Sequence, residues 1–244
     1  MYTLCYINLW GGISISAKKQ VHQQLIDFAK NNGFFVKRNC CYRIINNDIM
    51  QLLKFEYEPR FRCHELRMGL YSLYSELDPR WLTDSGCILR YPVHGLIQQY
   101  NNDELSIDMQ LLLLNQLGLK WLNSIRTQKD LVNALCNFER NYYGKIHWVD
   151  SFKLAPFLAS NDYTAADQVI SSILQQHVGP NYWTTEPWNA NDFERYKLYY
   201  PGEDLRLLEI HEWIESEDFN SITKYLNGNL SNNTNVLSRV LFSK

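Results

Sequence analysis

The chain has 244 residues and is 45% hydrophobic, a composition that suits one large or two small globular domains and argues against wholesale disorder. Its formal net charge of -2 leaves no basic surplus to neutralise phosphates, so we expect no nucleic-acid partner. No apolar run reaches the length of a membrane span and no basic leader opens the chain, so we expect no membrane partner and a cytoplasmic protein.

The cysteine pattern agrees with that compartment. None of the six cysteines forms a Cys-x-x-Cys pair, a spacing that would indicate a metal site or a redox motif. Scattered cysteines of this kind indicate reduced thiols that pack in the core. They are Cys5, Cys40, Cys41, Cys63, Cys87 and Cys136. We therefore expect no disulfide framework, and no motif in the chain nominates a cofactor.

The N-terminal region predicts a strand followed by a helix. Met1–Trp10 is rich in residues that favour strands. The Gly11-Gly12 pair after it lacks the glycine spacing and the lysine of phosphate-binding loops, so a plain turn is expected there. Between Ser16 and Gly33, apolar residues recur at helical spacing and predict an amphipathic helix with Gly33 just beyond its C-terminus.

The next stretch predicts an antiparallel meander. Three strands are expected, at Phe34–Ile45, Ile49–Glu58 and Glu65–Tyr74. The middle strand alternates an apolar face with a charged face, which carries Lys54, Glu56 and Glu58. Asn46-Asn47-Asp48 supplies turn chemistry before it. A sheet with one charged face needs a single covering layer, so the fold class is expected to be α+β, a helix-covered antiparallel sheet.

Short motifs in this region resemble a known family. A helix ending in Gly-Phe precedes a strand with Tyr42-Arg43, and Asp48-Ile49 opens the next strand. Further on, a Leu119–Trp121 turn comes before the segment Thr127-Gln128-Lys129-Asp130-Leu131. Together, over roughly residues 14–140, they resemble the uncharacterised bacterial domain-of-unknown-function family 4304. That family carries no assigned activity, so the resemblance implies a bacterial protein and transfers no catalytic residue.

Beyond the meander the pattern becomes largely helical. Cys87–Tyr91 predicts one more short strand. A helix with an apolar face along Ile107–Leu117 is expected to stop at Gly118. Thr127 is expected to cap a further helix that runs to about Arg140.

We place a soft domain boundary between an α+β sheet domain at 1–145 and a helical hairpin domain at 146–244, and the two regions could equally form one compact unit. In the second region, Phe157–Tyr163 aligns with Trp213–Phe219. Each copy joins an apolar helix end, a polar turn, an aromatic residue and a second amphipathic helix. The alignment predicts an all-helical C-terminal section of paired helical hairpins, and it leaves open whether they are a true repeat or two ordinary hairpins.

The segment between the two hairpins, Gly179–Gly202, is rich in aromatic residues and broken by prolines. Such residues either fill the seam between the sheet and the helical section or form a contact surface. The candidate residues for binding a partner or ligand are Tyr182, Trp183, Trp188, Tyr199 and Tyr200.

His211 and Glu215 come nearest to a metal motif. They have the i, i+4 spacing of the two histidines in His-Glu-x-x-His zinc enzymes. The second histidine of that motif is missing and the sequence nominates no third ligand. We therefore expect no metal, and a solvated polar helix face is the ordinary explanation of the pair.

The sequence contains no catalytic constellation, so we expect a non-enzymatic cytoplasmic module that binds another protein. Neutralisation of a toxin by an immunity-type protein is one specific form of this prediction. The competing prediction is an enzyme or small-molecule binder with a site at the seam, using His211, Glu215, Tyr182 and Trp188. A homo-oligomer is a third alternative.

Overall fold

The computed structural model describes residues 15–37, 40–58, 63–75, 89–92, 107–142, 147–177 and 205–242. The strand predicted at Met1–Trp10, the Gly11-Gly12 turn and the aromatic segment Gly179–Gly202 lie outside these ranges. Within them, the chain forms an antiparallel sheet followed by C-terminal helices, which confirms the predicted α+β class.

Five strands of the described chain form one antiparallel sheet in sequential order, as a meander does. They are β1 (Phe35–Lys37), β2 (Cys40–Ile45), β3 (Ile49–Glu58), β4 (Cys63–Ser72) and β5 (Leu89–Pro92). β3 has the predicted bounds, and β4 begins and ends slightly earlier than predicted. β5 confirms the short strand expected near Tyr91.

The prediction of one continuous strand at Phe34–Ile45 is wrong. The chain reverses direction between Lys37 and Cys40, which pair with each other, so β1 and β2 form a hairpin. The sequence places Asn39 between them, and asparagine is depleted in strands and frequent in turns.

The turn between β2 and β3 has the conformation that its sequence favours. Asn46 and Asn47 have φ angles of 50° and 64°, in the left-handed region that asparagine tolerates better than most residues. The Asp48 N–H donates a hydrogen bond to the Ile45 carbonyl at 3.1 Å. Ile45 then pairs with Ile49, which sets the register of the two strands.

The first face of the sheet is covered by helices from both sides of the meander in sequence. They are α1 (Ile15–Asn31), α2 (Ile107–Leu113), α3 (Leu119–Ser124) and α4 (Gln128–Tyr142). Their buried side chains share one apolar cluster with Leu53 and Met68 of the sheet. α1 ends as predicted, because Gly33 has a φ of 76° and the Phe34 N–H donates to the Ala29 carbonyl at 2.9 Å.

Gly118 does not end its helix, contrary to the prediction. α2 continues through a π-helical turn at Leu114–Gly118 directly into α3, and Gly118 keeps helical angles of φ -61° and ψ -48°. The glycine allows close packing there, since a Cβ atom would lie 2.8 Å from Leu114 Cδ1 and 2.9 Å from Met68 Sδ, and these buried side chains would have to shift to make room for it. Leu117 lies within this π turn, whose residue spacing is wider than that of an α-helix, and it is 37% exposed where α-helical spacing predicts burial.

A buried polar network fastens α3 to the first face. Gln51 of β3 is fully buried, and its side-chain amide donates to the Leu122 carbonyl at 2.6 Å. The Arg43 guanidinium of β2 donates to Gln51 Oε1 at 2.6 Å and to Asn123 Oδ1 at 2.8 Å. These bonds satisfy polar groups that the packing of α3 on the sheet would otherwise bury without partners.

The second face of the sheet is also covered, so the prediction of a charged face with a single covering layer is wrong. The C-terminal helices are α5 (His147–Ala159), α6 (Tyr163–His177), α7 (Leu205–Glu215) and α8 (Phe219–Phe242). Leu237 of α8 packs in an apolar cluster with the sheet residues Met50, Leu52, Tyr71 and Leu73. Lys54, predicted on the charged face, is only 6% exposed, and the side chains of Glu56 and Glu58 lie outside the described part of the chain.

Two asparagines of α8 bind the backbone at the end of β4. Asn233 is fully buried, and its Nδ2 donates to the carbonyls of Leu73 at 2.7 Å and Ser75 at 2.6 Å. One helical turn earlier, Asn229 Nδ2 donates to the Tyr74 carbonyl at 3.0 Å. Because these contacts are directional, they fix the position of α8 along the sheet.

Substitution of Gly118 by alanine should destabilise the protein, because the new methyl group would overlap the buried side chains of Leu114 and Met68. We expect the free energy of unfolding to fall by about 1–3 kcal/mol, the usual cost of overpacking a core. Urea unfolding followed by circular dichroism measures the change.

Gly228→Ala is the matched control, since a methyl group there meets no atom within 4 Å. Inside α8 it should stabilise the protein by about 0.5–1 kcal/mol, because alanine is the better helix former. Equal effects of the two substitutions would contradict the packing role of Gly118.

Replacement of Asn233 by alanine should lower the free energy of unfolding by about 2 kcal/mol, because two buried carbonyls lose their donor. Asn235→Ala, an exposed position on the same helix, should change it by less than about 0.5 kcal/mol. Thermal unfolding of both variants compares them. A loss at Asn233 no larger than that at Asn235 would show that these bonds do not hold α8 on the sheet.

Candidate functional site

The two helical hairpins turn in the same way. In the first turn, Asn161 has a φ of 60°, and the N–H of the next residue donates to the Phe157 carbonyl at 3.0 Å. In the second turn, Glu217 has a φ of 56°, and the N–H of the next residue donates to the Trp213 carbonyl at 2.8 Å. Both are helix ends closed by a left-handed residue, so the aligned segments share their backbone structure as well as their sequence pattern.

An aspartate follows each left-handed residue and caps the next helix. Asp162 Oδ1 accepts a hydrogen bond from the Ala165 N–H at 3.2 Å, and Asp218 Oδ1 accepts one from the Ser221 N–H at 3.1 Å. The Ser221 hydroxyl also donates to Asp218 Oδ2 at 2.7 Å. This side-chain bond, helped by the backbone bond, lowers the pKa of Asp218, so the carboxylate is ionised at neutral pH.

The aromatic residues that open α6 and α8 stack on each other. The ring centroids of Tyr163 and Phe219 are 4.5 Å apart and the ring planes differ by 16°. The Tyr163 hydroxyl donates to Asn161 Oδ1 at 2.9 Å, which orients its ring, while Phe219 stays 40% exposed. We call this aromatic pair, together with the turns at residues 160–162 and 216–218, the hairpin tip.

Carboxylates dominate the charge of the hairpin tip and of the helical turns next to it. In residues 160–167 and 205–224 they are Asp162, Asp167, Glu209, Glu212, Glu215, Glu217 and Asp218. In residues 160–167 and 205–224, the only lysine or arginine side chains are Arg206 and Lys224. Arg206 is itself paired with Glu209 at 2.5 Å. The exposed Phe219 ring therefore belongs to an acidic part of the described chain and directly follows two carboxylates, Glu217 and Asp218.

His211 joins the two hairpins next to the tip. The residue is 8% exposed; its Nδ1 lies 2.5 Å from Asp167 Oδ1 on α6, and its Nε2 lies 3.6 Å from Glu215 Oε1 on α7. The hydrogen bond to Asp167 raises the pKa of His211 above its ordinary value, and the charges of Asp167, Glu215 and Glu212 add to this against the opposing effect of burial. The imidazole therefore links α6 and α7 through its contact with Asp167.

The predicted pair of His211 and Glu215 does lie on one helix face, but its surroundings favour ion pairing. Among the described residues, no group of three or more His, Cys, Asp or Glu side chains is placed to hold a metal ion. Zinc sites in proteins normally use at least three protein ligands. A carboxylate lies near each ring nitrogen of His211. The expectation of no metal stays a prediction.

The predicted aromatic candidates lie outside the described residues. They are Tyr182, Trp183, Trp188, Tyr199 and Tyr200. Among the residues that form the tip, Tyr163 and Phe219 were visible in the sequence only as aligned positions of the two hairpins. Asp167 carried no signal, because its contact with His211 joins residues 44 positions apart.

The described part of the seam between the sheet and the helices is filled by apolar side chains. Phe152 of α5 meets Tyr71 of β4 edge-on, with ring centroids 6.4 Å apart. Leu230, Val236 and Leu237 of α8 contribute to the same cluster. This packing gives the predicted seam site no support, and that site stays a prediction.

None of the described helices combines the length and the apolar character needed to cross a bilayer. No protein-family model matches the chain, and comparisons with curated proteins and with solved structures found no match. The resemblance to family 4304 therefore stays a prediction, and the geometry of the tip is what supports a function.

The stack of Tyr163 on Phe219 should couple the two hairpins energetically. A double-mutant cycle of Tyr163→Ala and Phe219→Ala should give a coupling energy of about 0.5–1.5 kcal/mol, the usual range for aromatic pairs. Urea unfolding of the four proteins measures it. Tyr163→Phe, which keeps the ring but loses the bond to Asn161, should retain most of the coupling. A coupling energy near zero would show that the rings are neighbours without mutual stabilisation.

Proposed function

We propose that the protein is a non-enzymatic cytoplasmic module that binds another protein through the hairpin tip. The observation that supports this is the ring of Phe219, which is 40% exposed yet oriented by its stack on Tyr163. A ring that is already ordered loses little conformational entropy on binding. Aromatic side chains of this kind contribute much of the energy in protein interfaces.

The charge around the tip favours a partner with a basic surface. An apolar centre with a polar rim is the usual anatomy of a protein interface. Here the charged residues of the tip are the carboxylates Asp162, Glu217 and Asp218, and like charges on a partner would be repelled. The other exposed large apolar side chains of the described residues are Phe35, Met109, Leu112, Leu117 and Leu205. Of these, only Leu205 also directly follows two carboxylates in the sequence, and it lacks the aromatic ring of Phe219.

The two cysteines of β2, Cys40 and Cys41, are free thiols, which suits the proposed reducing compartment. Cys41 is buried and is not in a disulfide. Burial, with a contribution from Cys40, raises the pKa of the Cys41 thiol to about 12, so it is not a thiolate nucleophile at neutral pH. Reduced cysteines are typical of cytoplasmic proteins.

An immunity-type protein that neutralises a toxin is one specific form of the proposal, and the acidic tip fits a toxin with a basic binding surface. Any such partner must meet the same condition, a patch of lysine or arginine around an apolar pocket that accepts one aromatic ring. The proposal can therefore be tested on any candidate partner of known structure, by asking whether its surface has such a basic patch and pocket.

Native mass spectrometry of the tagged protein, recovered from the lysate of its own host, should show one protein partner in a fixed ratio. Phe219→Ala should then weaken the dissociation constant by about 30-fold, equal to about 2 kcal/mol for a central aromatic residue. Glu217→Lys should slow association, most strongly at low salt. Titration calorimetry and stopped-flow fluorescence measure the two effects.

Phe35→Ala is the matched control, because Phe35 is also an exposed phenylalanine, at 51%, but lies on β1. Its removal should leave the affinity unchanged. A partner that binds Phe219→Ala as tightly as the unmodified protein would contradict the tip as the binding surface. Recovery of a bound small molecule or metal would favour the competing class of function, and a stable dimer with a buried tip would favour a homo-oligomer.

A further inference from the structure

His211 connects the two hairpins through its contact with a carboxylate. Its ring lies on α7 in the second hairpin, and Asp167 Oδ1, 2.5 Å from Nδ1, lies on α6 in the first. Glu215 Oε1 lies 3.6 Å from Nε2. Both ring nitrogens thus face carboxylates, which only accept hydrogen bonds when ionised. The imidazolium form, with a proton on each nitrogen, is the form that suits both neighbours.

The two carboxylates beside His211 each lie four residues from one ring of the aromatic pair. Asp167 follows Tyr163 by one helical turn on α6, and Glu215 precedes Phe219 by the same number of residues across the second turn. The His211–Asp167 contact joins α7 to α6, and the ring stack joins α8 to α6, so both link the same two hairpins. Because α7 leads into α8 through the second turn, we expect a movement of α7 against α6 that breaks the His211–Asp167 contact to displace the rings as well.

We infer that the imidazolium of His211 is a proton-dependent tie between the two hairpins, which holds Tyr163 and Phe219 in register at the hairpin tip. The consequence for binding rests on the proposed function, because the tip is the surface that the partner would contact. The tie itself is a property of the protein without a partner, so the two ideas can fail separately.

The charged groups that raise the pKa of His211 are carboxylates of two helices. α6 contributes Asp167, and α7 contributes Glu212 and Glu215. All three favour the protonated form of the ring, whereas burial opposes it. Because the pKa of His211 is raised in the folded protein, the stabilisation is complete below about pH 6.5, the ordinary histidine value, and is lost as pH rises through the folded value.

The first experiment is a nuclear magnetic resonance titration of the histidine rings in the full chain, with His211→Gln to assign the signal. The midpoint of His211 should lie above about 6.5. Asp167→Asn should lower that midpoint, because it removes the negative charge of the carboxylate that contacts Nδ1 and leaves the opposing effect of burial. Glu209→Gln is the matched control, since it removes one negative charge from α7 at a side chain paired with Arg206. It should shift the midpoint far less.

The second experiment measures whether the protonated ring holds the tip. The coupling energy of the Tyr163–Phe219 pair should fall as pH rises through the His211 midpoint, and it should be independent of pH in the Asp167→Asn background. The melting temperature of the unmodified protein should also approach that of Asp167→Asn over the same range, by about 2–4 °C. These measurements do not require His211→Gln to fold stably.

A His211 midpoint at or below the ordinary value, or one that Asp167→Asn leaves in place, would overturn the inference. So would a Tyr163–Phe219 coupling energy that is the same on both sides of the midpoint. None of these results depends on a partner. If the tie is confirmed while Phe219→Ala has no effect on partner binding, the proposed function fails and the inference about His211 stands.

Discussion

Burial of β3 on both faces is the constraint on which the rest of the structure depends. Ile49 and Leu53 face the helices α1 to α4, whereas Met50 and Leu52 face α8. Each of these side chains would cost about 1.5–3 kcal/mol to leave in water. The sheet therefore needs two covering layers, and the second layer comes from the helical section that carries the hairpin tip. Asn233 fixes where that layer sits, because it is bound to the backbone that ends β4.

Local signals in the sequence predicted much of the sheet. Strand alternation and the paired asparagines before it placed β3 within its observed bounds, because both depend on residues adjacent in the chain. The covering of the second face was missed because the charged residues near the end of the strand outweighed Met50 and Leu52 in the pattern. The nearly continuous apolar run at residues 49–53 is the pattern typical of a strand buried on both sides.

Glycine 118 shows a different limit of sequence reasoning. A glycine after an apolar helix is expected to end it, and Gly33 does so. Gly118 instead lies inside a helix, where its missing side chain lets Leu114 and Met68 approach. The residue is glycine in both cases. Whether it ends a helix or allows a close contact depends on the side chains that pack against it in the folded protein. The aromatic residues of the hairpin tip were easier to predict, because the two aligned segments place them at equivalent positions. The His211–Asp167 contact was not predictable in this way, because it depends on how the two hairpins pack against each other.

The position of α8 in the chain has a consequence for synthesis. Ribosomes produce the strands of the meander long before they reach Leu237, so the apolar second face of the newly made sheet lacks its contacts with α8 while the intervening helices are translated. An uncovered sheet face of this kind is prone to aggregation and is a typical target for chaperones. We therefore expect the nascent chain to be most prone to aggregation between the completion of β4 and the synthesis of α8. The packing of α8 on the sheet ends this period.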